Sequence, residues 1–284
     1  MSDHDQLLVL VDPVARRLDG ESVRIAKDVL SAGADTKICL PQGPQEFARA
    51  LARRGHRRPV VVGDDRALLR LVTLLQRERD GRDSTLMAVA PMDVPEPDTA
   101  VAVVPIGAPG GLETTRALGV PQGAVGAARA ALDGVVRRRD LLVDDVGGIV
   151  LTRLDVPAAR AMVPAQPTVW DTCRSLVRTL VRPAPAPAGL AVGTHRLRIE
   201  ADGVLLCDLD TPLEGLSATD LGDGTAALTL VPADAPAVHT SARMLTVTGP
   251  GFRYRTDALV AGPVRRRTWT LREGAWGLMV PAPS

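Results

Sequence analysis

The chain has 284 residues, 45% of them hydrophobic and 24% charged, with a net charge of +1. That length buries one large or two medium cores, and the balanced charge excludes nucleic-acid binding or a polybasic membrane anchor as a bulk property. Its three cysteines are scattered with no CxxC pair, which excludes a zinc site or a disulfide framework as the expectation.

The opening segment carries no basic stretch, and its apolar run stops after a handful of residues. Neither a signal peptide nor a membrane span is expected, and a reducing, cytoplasmic setting is. Leu7 to Val11 is a fully apolar run ended by Asp12-Pro13, which suits a buried central strand. Ile25, Ala26, Val29 and Leu30 share one helical face, and Gly33 stands where the helix closes. Thr36 to Leu40 reads as a second strand. Phe47, Ala48 and Leu51 mark a second helix, closed by Gly55. Pro59 to Val62 is a third strand that runs into Gly63-Asp64-Asp65, and Leu68, Leu69, Val72 and Leu75 form the stripe of the next helix. Val101 to Val104 is another buried strand, leading into Pro105–Gly111, and an alanine-rich helix is expected from Ala124 to Val136. Buried strands separated by helices imply a parallel sheet, whose ligands sit at the carboxyl ends of the strands. The ends at Asp12, Gly63 and Gly107 are therefore the ones to watch.

From about Asp140 the pattern alternates instead. Ile149–Leu151, His195–Glu200, Val204–Asp208, Ala226–Val231, Met244–Thr248, Phe252–Thr256, Arg267–Leu271 and Gly277–Val280 are short strands, separated by turn signals such as Gly249-Pro250-Gly251 and Glu273-Gly274. A helix through Leu176, Val177, Leu180 and Val181 interrupts them after Trp170, and Arg182 to Pro187 forms a stiff linker. The expected fold class is α/β + β. An N-terminal parallel-sheet α/β domain (1–137) precedes a mainly antiparallel, β-sandwich-like domain (138–284), whose last strand is free to return to the first.

Read residue by residue, the candidate sites each admit a structural role. Asp65 is placed either to orient a divalent cation or to cap the helix Ala67–Gln76. Gly107, Gly110 and Gly111 suit an anion nest, although Pro109 removes one amide. Arg66 and Arg70 can hold phosphate, or be surface charge. Asp257 is placed either as a general base or as an exposed hairpin residue. Arg137 to Arg139 read as a solvated helix end or as a contact for anionic lipid headgroups, and Arg265 to Arg267 likewise.

Four segments resemble the diacylglycerol kinase family of lipid kinases, within the superfamily that includes NAD kinases. VLVDPVARR (Val9–Arg17) resembles its opening strand and N-P-x-S-G loop, with Asp12 for the asparagine and Pro13 matching. VVVGDDRALLRLV (Val60–Val72) resembles V-V-x-G-G-D-G-T-x-N-E-V-V: Gly63 and Asp65 match, Asp64, Arg66 and Ala67 replace Gly, Gly and Thr, and Arg70 replaces Glu. VVPIGAPGGLETTRALGVP (Val103–Pro121) resembles L-P-x-G-T-G-N-D-F-A-R-x-L-G-I-P; it keeps Pro105, Gly107, Arg116, Leu118, Gly119 and Pro121 but not the T-G-N-D core. FRYRTDALVAGPVRRRTWTLREGAWGLMVP (Phe252–Pro281) resembles the C-terminal signature, with Asp257 in place and Ala258-Leu259 for Gly-Glu.

The resemblance implies a two-domain lipid kinase that transfers phosphate from ATP, with Mg²⁺, to a lipid hydroxyl such as that of diacylglycerol. Peripheral contact with a membrane follows, without nucleic acid. Asp12, Gly63, Asp65, Arg66, Gly107, Gly110, Gly111 and Thr114 would hold the nucleotide, Asp65 the metal, and Asp257 would take the alcohol proton. The substitutions open a second implication: a catalytically silent member that binds lipid, nucleotide or protein. A soluble NAD-kinase-like enzyme is a third.

Overall fold

A computed structural model describes residues 6–86, 100–157 and 194–283. The helix expected around Leu176 to Val181, with Trp170, Cys173 and the Arg182–Pro187 linker, lies outside the described residues.

The first half alternates strand and helix as its apolar runs dictate. Its elements are β1 (Gln6–Val11), α1 (Pro13–Leu18), α2 (Gly20–Gly33), β2 (Asp35–Cys39), α3 (Pro44–Ala52), β3 (Arg58–Gly63), α4 (Asp65–Leu86), β4 (Ala100–Pro105), α5 (Glu113–Ala117) and α6 (Ala124–Asp133). The parallel strands run in the order β2-β1-β3-β4. Paired registers Val11 with Val62 and Gly63 with Pro105 bring the loops after β1, β3 and β4 out of one edge of the sheet. Leu7–Val11, Val60–Val62 and Val101–Val104 are all buried, which is why these strands read as unbroken apolar runs.

The sequence reading has no α1. Asp12 begins it by accepting the Val14 amide at 2.7 Å, with Pro13 in the first helical turn. The alanine-rich helix stops at Asp133, three residues short of Val136. A side chain on Gly134 would stand 2.3 Å from the Ala130 carbonyl oxygen and 2.4 Å from that of Val280, so the chain turns there on glycine. Val135 and Val136 then enter β5 (Val135–Asp144) and pair with Val280 and Met279. Arg137 to Arg139 consequently lie on a strand rather than at a helix end.

The second half is antiparallel: β6 (Ile149–Val150), β7 (Leu154–Val156), β8 (His195–Arg196), β9 (Arg198–Ala201), β10 (Val204–Cys207), β11 (Pro212–Gly222), β12 (Thr225–Pro232), β13 (Val238–Ala242), β14 (Met244–Thr256) and β15 (Leu259–Val280). The sequence pattern gives no strand at β5, β7, β11 or β13. It also split β14 and β15, treating Gly249-Pro250-Gly251 and Glu273-Gly274 as turns. In the structure the strands run on through both, with register shifts between Thr248 and Phe252 and between Arg272 and Trp276. These are bulges, where glycine absorbs the extra residue and the strand bends without ending.

Two buried apolar clusters result, and β5 and β15 serve both. Trp269 and Leu271 pack in the C-terminal cluster, while Trp276, Leu278 and Met279 join the N-terminal one. There β15 pairs in parallel with β4, at Gly277 with Ala100 and Leu278 with Val101. The two halves are thus stitched by one 22-residue strand. Among the described residues no helix is long and apolar enough to cross a membrane.

Candidate functional site

A cleft of about 660 Å³ opens between the loops of the parallel sheet and the β14–β15 turn. One wall carries Asp64, Asp65, Gly110, Gly111 and Thr114; the other carries Thr152, Arg153, Asp155, Arg255 and Asp257. The structure therefore brings together Asp65, Arg66, Gly110, Gly111, Thr114 and Asp257 of the residues singled out in the sequence. Asp12, Gly63 and Gly107 do not line it.

The reason lies in Asp64. Its carboxylate accepts the Ala67 amide at 3.1 Å and so caps α4, the task the sequence offered to Asp65. The cap seats the Asp64 side chain against Gly107, where a Cβ would meet its Cβ at 2.9 Å. Gly107 is thereby required by the close approach of the Asp64 Cβ. Burial pushes the Asp64 carboxyl up, and the charge of Asp12 adds to this, against the pull of the Ala67 amide and Arg66. Gly63 is crowded similarly: a Cβ there would stand 2.8 Å from that of Ala67 and 2.9 Å from that of Asp12.

Asp65 is turned the other way. It is 3% exposed, and its two oxygens accept the amides of Thr114 (2.8 Å) and Thr115 (2.9 Å) at the start of α5. The Thr114 amide is thus spent on a protein carboxylate. Asp12 is likewise occupied, by the Val14 amide and by Arg70 at 3.1 Å. Two of the positions that depart from the family pattern in charge, Asp12 and Arg70, thus neutralise one another.

Asp257, expected as a base or an exposed hairpin residue, is buried in the floor of the cleft. It sits at φ 40, in the left-handed region where aspartate is tolerated better than most side chains. One carboxylate oxygen accepts the Leu151 amide at 2.6 Å; the other accepts the Thr152 amide, the Thr152 hydroxyl and the Arg153 amide at 2.9, 2.7 and 3.1 Å. Three donors thus converge on one oxygen, which has two lone pairs, and the Leu151 amide takes one lone pair of the other. Burial pushes its carboxyl above the ordinary range, against those hydrogen bonds.

Two of the three arginines of the cleft are paired. Arg255 reaches Glu113 at 3.0 Å across the cleft, and Arg153 holds its neighbour Asp155 at 2.7 Å. Glu113, Thr152, Arg153, Asp155 and Arg255 escaped the sequence reading, since nothing in their spacing marks them; only strand register collects them. The carboxylates outnumber the arginines: Asp64, Asp65, Glu113, Asp155 and Asp257 face Arg66, Arg153 and Arg255. That balance is unfavourable for a triphosphate. Nor do the donors suit Mg²⁺, because Asp65 and Asp257 are engaged by amides, and the described residues contain no group of three carboxylate, histidine or cysteine ligands.

The architecture has solved counterparts. A protein from Bacillus anthracis str. Sterne, provisionally described as a diacylglycerol kinase, superposes with a TM-score of 0.70 at 16% identity, over 99% of this chain and 98% of that one. Another structure under a similar description gives 0.70 at 15% identity, over 99% and 96% of the chains. A third from the same organism, titled a diacylglycerol kinase, gives 0.62 at 12% identity, over 99% and 98%. The chain shares the fold of these kinases. The resemblance of its motifs thus extends to the whole architecture, including the strand that returns from the β-rich half to the parallel sheet. No protein-family model matches the sequence, and no curated protein matches it. At such identity the likeness shows the fold alone.

Proposed function

We propose that this chain is a lipid-binding protein built on the lipid-kinase fold, in which phosphoryl transfer from Mg-ATP has been lost. The observation that carries this reading is the buried carboxylate of Asp257, held by four protein donors. A general base must offer a lone pair towards the alcohol proton, and here three donors saturate one oxygen while the Leu151 amide holds the other in place. Asp64 supports the same reading from the opposite wall, because it sets a charge where a phosphate would need bare backbone amides. Transfer depends on positioning and charge neutralisation together, so loss of both removes most of the rate.

The alternative is an active kinase on a diacylglycerol-like hydroxyl. In its favour, Asp65, Gly110, Gly111, Thr114 and Asp257 face one cleft of about 660 Å³. Calorimetric titration with Mg-ATP, followed by radiolabelled phosphate transfer to diacylglycerol vesicles, separates the two. The expected result is neither binding nor transfer. Transfer by the unaltered chain would establish the active kinase instead.

A further inference from the structure

Beside the cleft, and meeting it at Arg66 and Leu259, a second concavity of about 340 Å³ runs along the outer face of α4. Its composition is opposite to that of the cleft. Leu69, Leu74 and Leu259 supply an apolar floor, Arg66, Arg70 and Arg77 supply positive charge, and no carboxylate lines it. Positions 66, 70, 73 and 77 recur at helical spacing, so the arginines form one stripe beside the leucines. Arg70 is held by Asp12 at 3.1 Å and lies 5.5 Å over the ring of Phe47. Arg66 and Arg77 have no ion pair among the described residues, and of the two Arg77 is farther along the helix from the carboxylates of the cleft.

Arginines without an ion pair among the described residues, flanking a buried-to-exposed apolar strip, select a ligand with one acid group and a hydrocarbon part. The volume lies at the small end of ligand sites, which run from roughly 300 to 1,000 Å³, and that favours one chain over two. We propose that this groove binds a single-chain anionic amphiphile. Arg77, with Arg70 alongside, holds the acid group, and the chain lies over Leu74 and Leu69 towards Leu259. The inference rests on the lipid-binding half of the function proposed above, and it is independent of whether the cleft transfers phosphate.

Calorimetric titration of the full chain with sodium decanoate, kept below its self-association concentration, tests it. Decyltrimethylammonium supplies the same chain with the opposite charge, and inorganic phosphate supplies an anion without a chain. Decanoate is expected to bind, and each control at least about tenfold more weakly, the factor that corresponds to about 1.4 kcal/mol. Arg77→Glu should weaken decanoate by about tenfold or more while Arg77→Lys retains it, because the cation rather than the fork is required. Leu259→Asp should weaken it too; both positions are exposed, so folding is unaffected and a thermal melt verifies this. Absence of decanoate binding, equal binding of the cationic amphiphile or of phosphate, or indifference to Arg77→Glu would each overturn the proposal. Silence in the transfer assay with no decanoate binding removes this inference alone, whereas transfer with decanoate binding removes only the silent cleft.

Discussion

The cleft and the α4 groove share Arg66 and Leu259 yet differ in what their charges are doing. In the cleft nearly every charged group is engaged: Asp65 with the start of α5, Asp257 with the 151–153 segment, Arg255 with Glu113, Arg153 with Asp155. In the groove Arg77 and Arg66 carry no such ion pair among the described residues. A concave site whose polar groups are satisfied by its own chain is a joint of the fold; one whose charges are unmet is where a ligand gains most. The larger cavity is thus the less available one, and size alone misleads.

The contrast can be broken most sharply at Asp257. If its carboxylate is a joint, Asp257→Asn turns an amide NH₂ towards N–H donors in a buried site. Stability should then fall by about 2–3 kcal/mol, in line with the cost of leaving buried donors unsatisfied, read as a lower midpoint in urea. An unchanged urea midpoint would show that Asp257 is not a joint. The next effect is at Asp65. Asp65→Ala removes the acceptor of the Thr114 and Thr115 amides, and a loss of about 1–2 kcal/mol is expected by analogy with helix caps. Faster hydrogen exchange at those two amides checks where the loss falls.

The smallest effect sharpens the comparison through pH. Burial raises the Asp64 carboxyl in the folded state. The folded protein therefore holds this proton more tightly than the unfolded chain, whose carboxyl keeps the ordinary value of 3.8. The contribution to stability is present below that value and is lost as pH rises through the folded-state value. Asp64→Asn keeps a capping oxygen and cannot ionise. The variant should be the more stable at neutral pH, with the advantage shrinking towards zero in acid; denaturant titrations across that range decide it. An advantage independent of pH would show that Asp64 is not under electrostatic strain in the cradle.

Much of the molecule can be read from its residues. β1, β3 and β4 are legible because a strand buried on both faces must be apolar throughout. The three loops at their ends follow from the parallel arrangement, and Gly63 and Asp65 stand out within them. The bulges in β14 and β15 are not legible, since glycine beside a polar residue marks a bend equally well whether the strand stops or continues. The same limit hides Arg153, Asp155 and Arg255, which reach the cleft only through the pairing of β7 with β14.

The sequence by itself determined the parallel sheet, the change to an antiparallel half and the family its loops resemble, because these depend on periodicity and local spacing. Only the tertiary structure decided that Asp64 rather than Asp65 caps α4, that Asp65 is spent on α5, and that Asp257 is buried under four donors. A carboxylate reads the same in a sequence whether it is free or fully hydrogen-bonded. Its availability is set by amides roughly 50 and 105 residues away in the chain, and those distances exist only once the chain is folded.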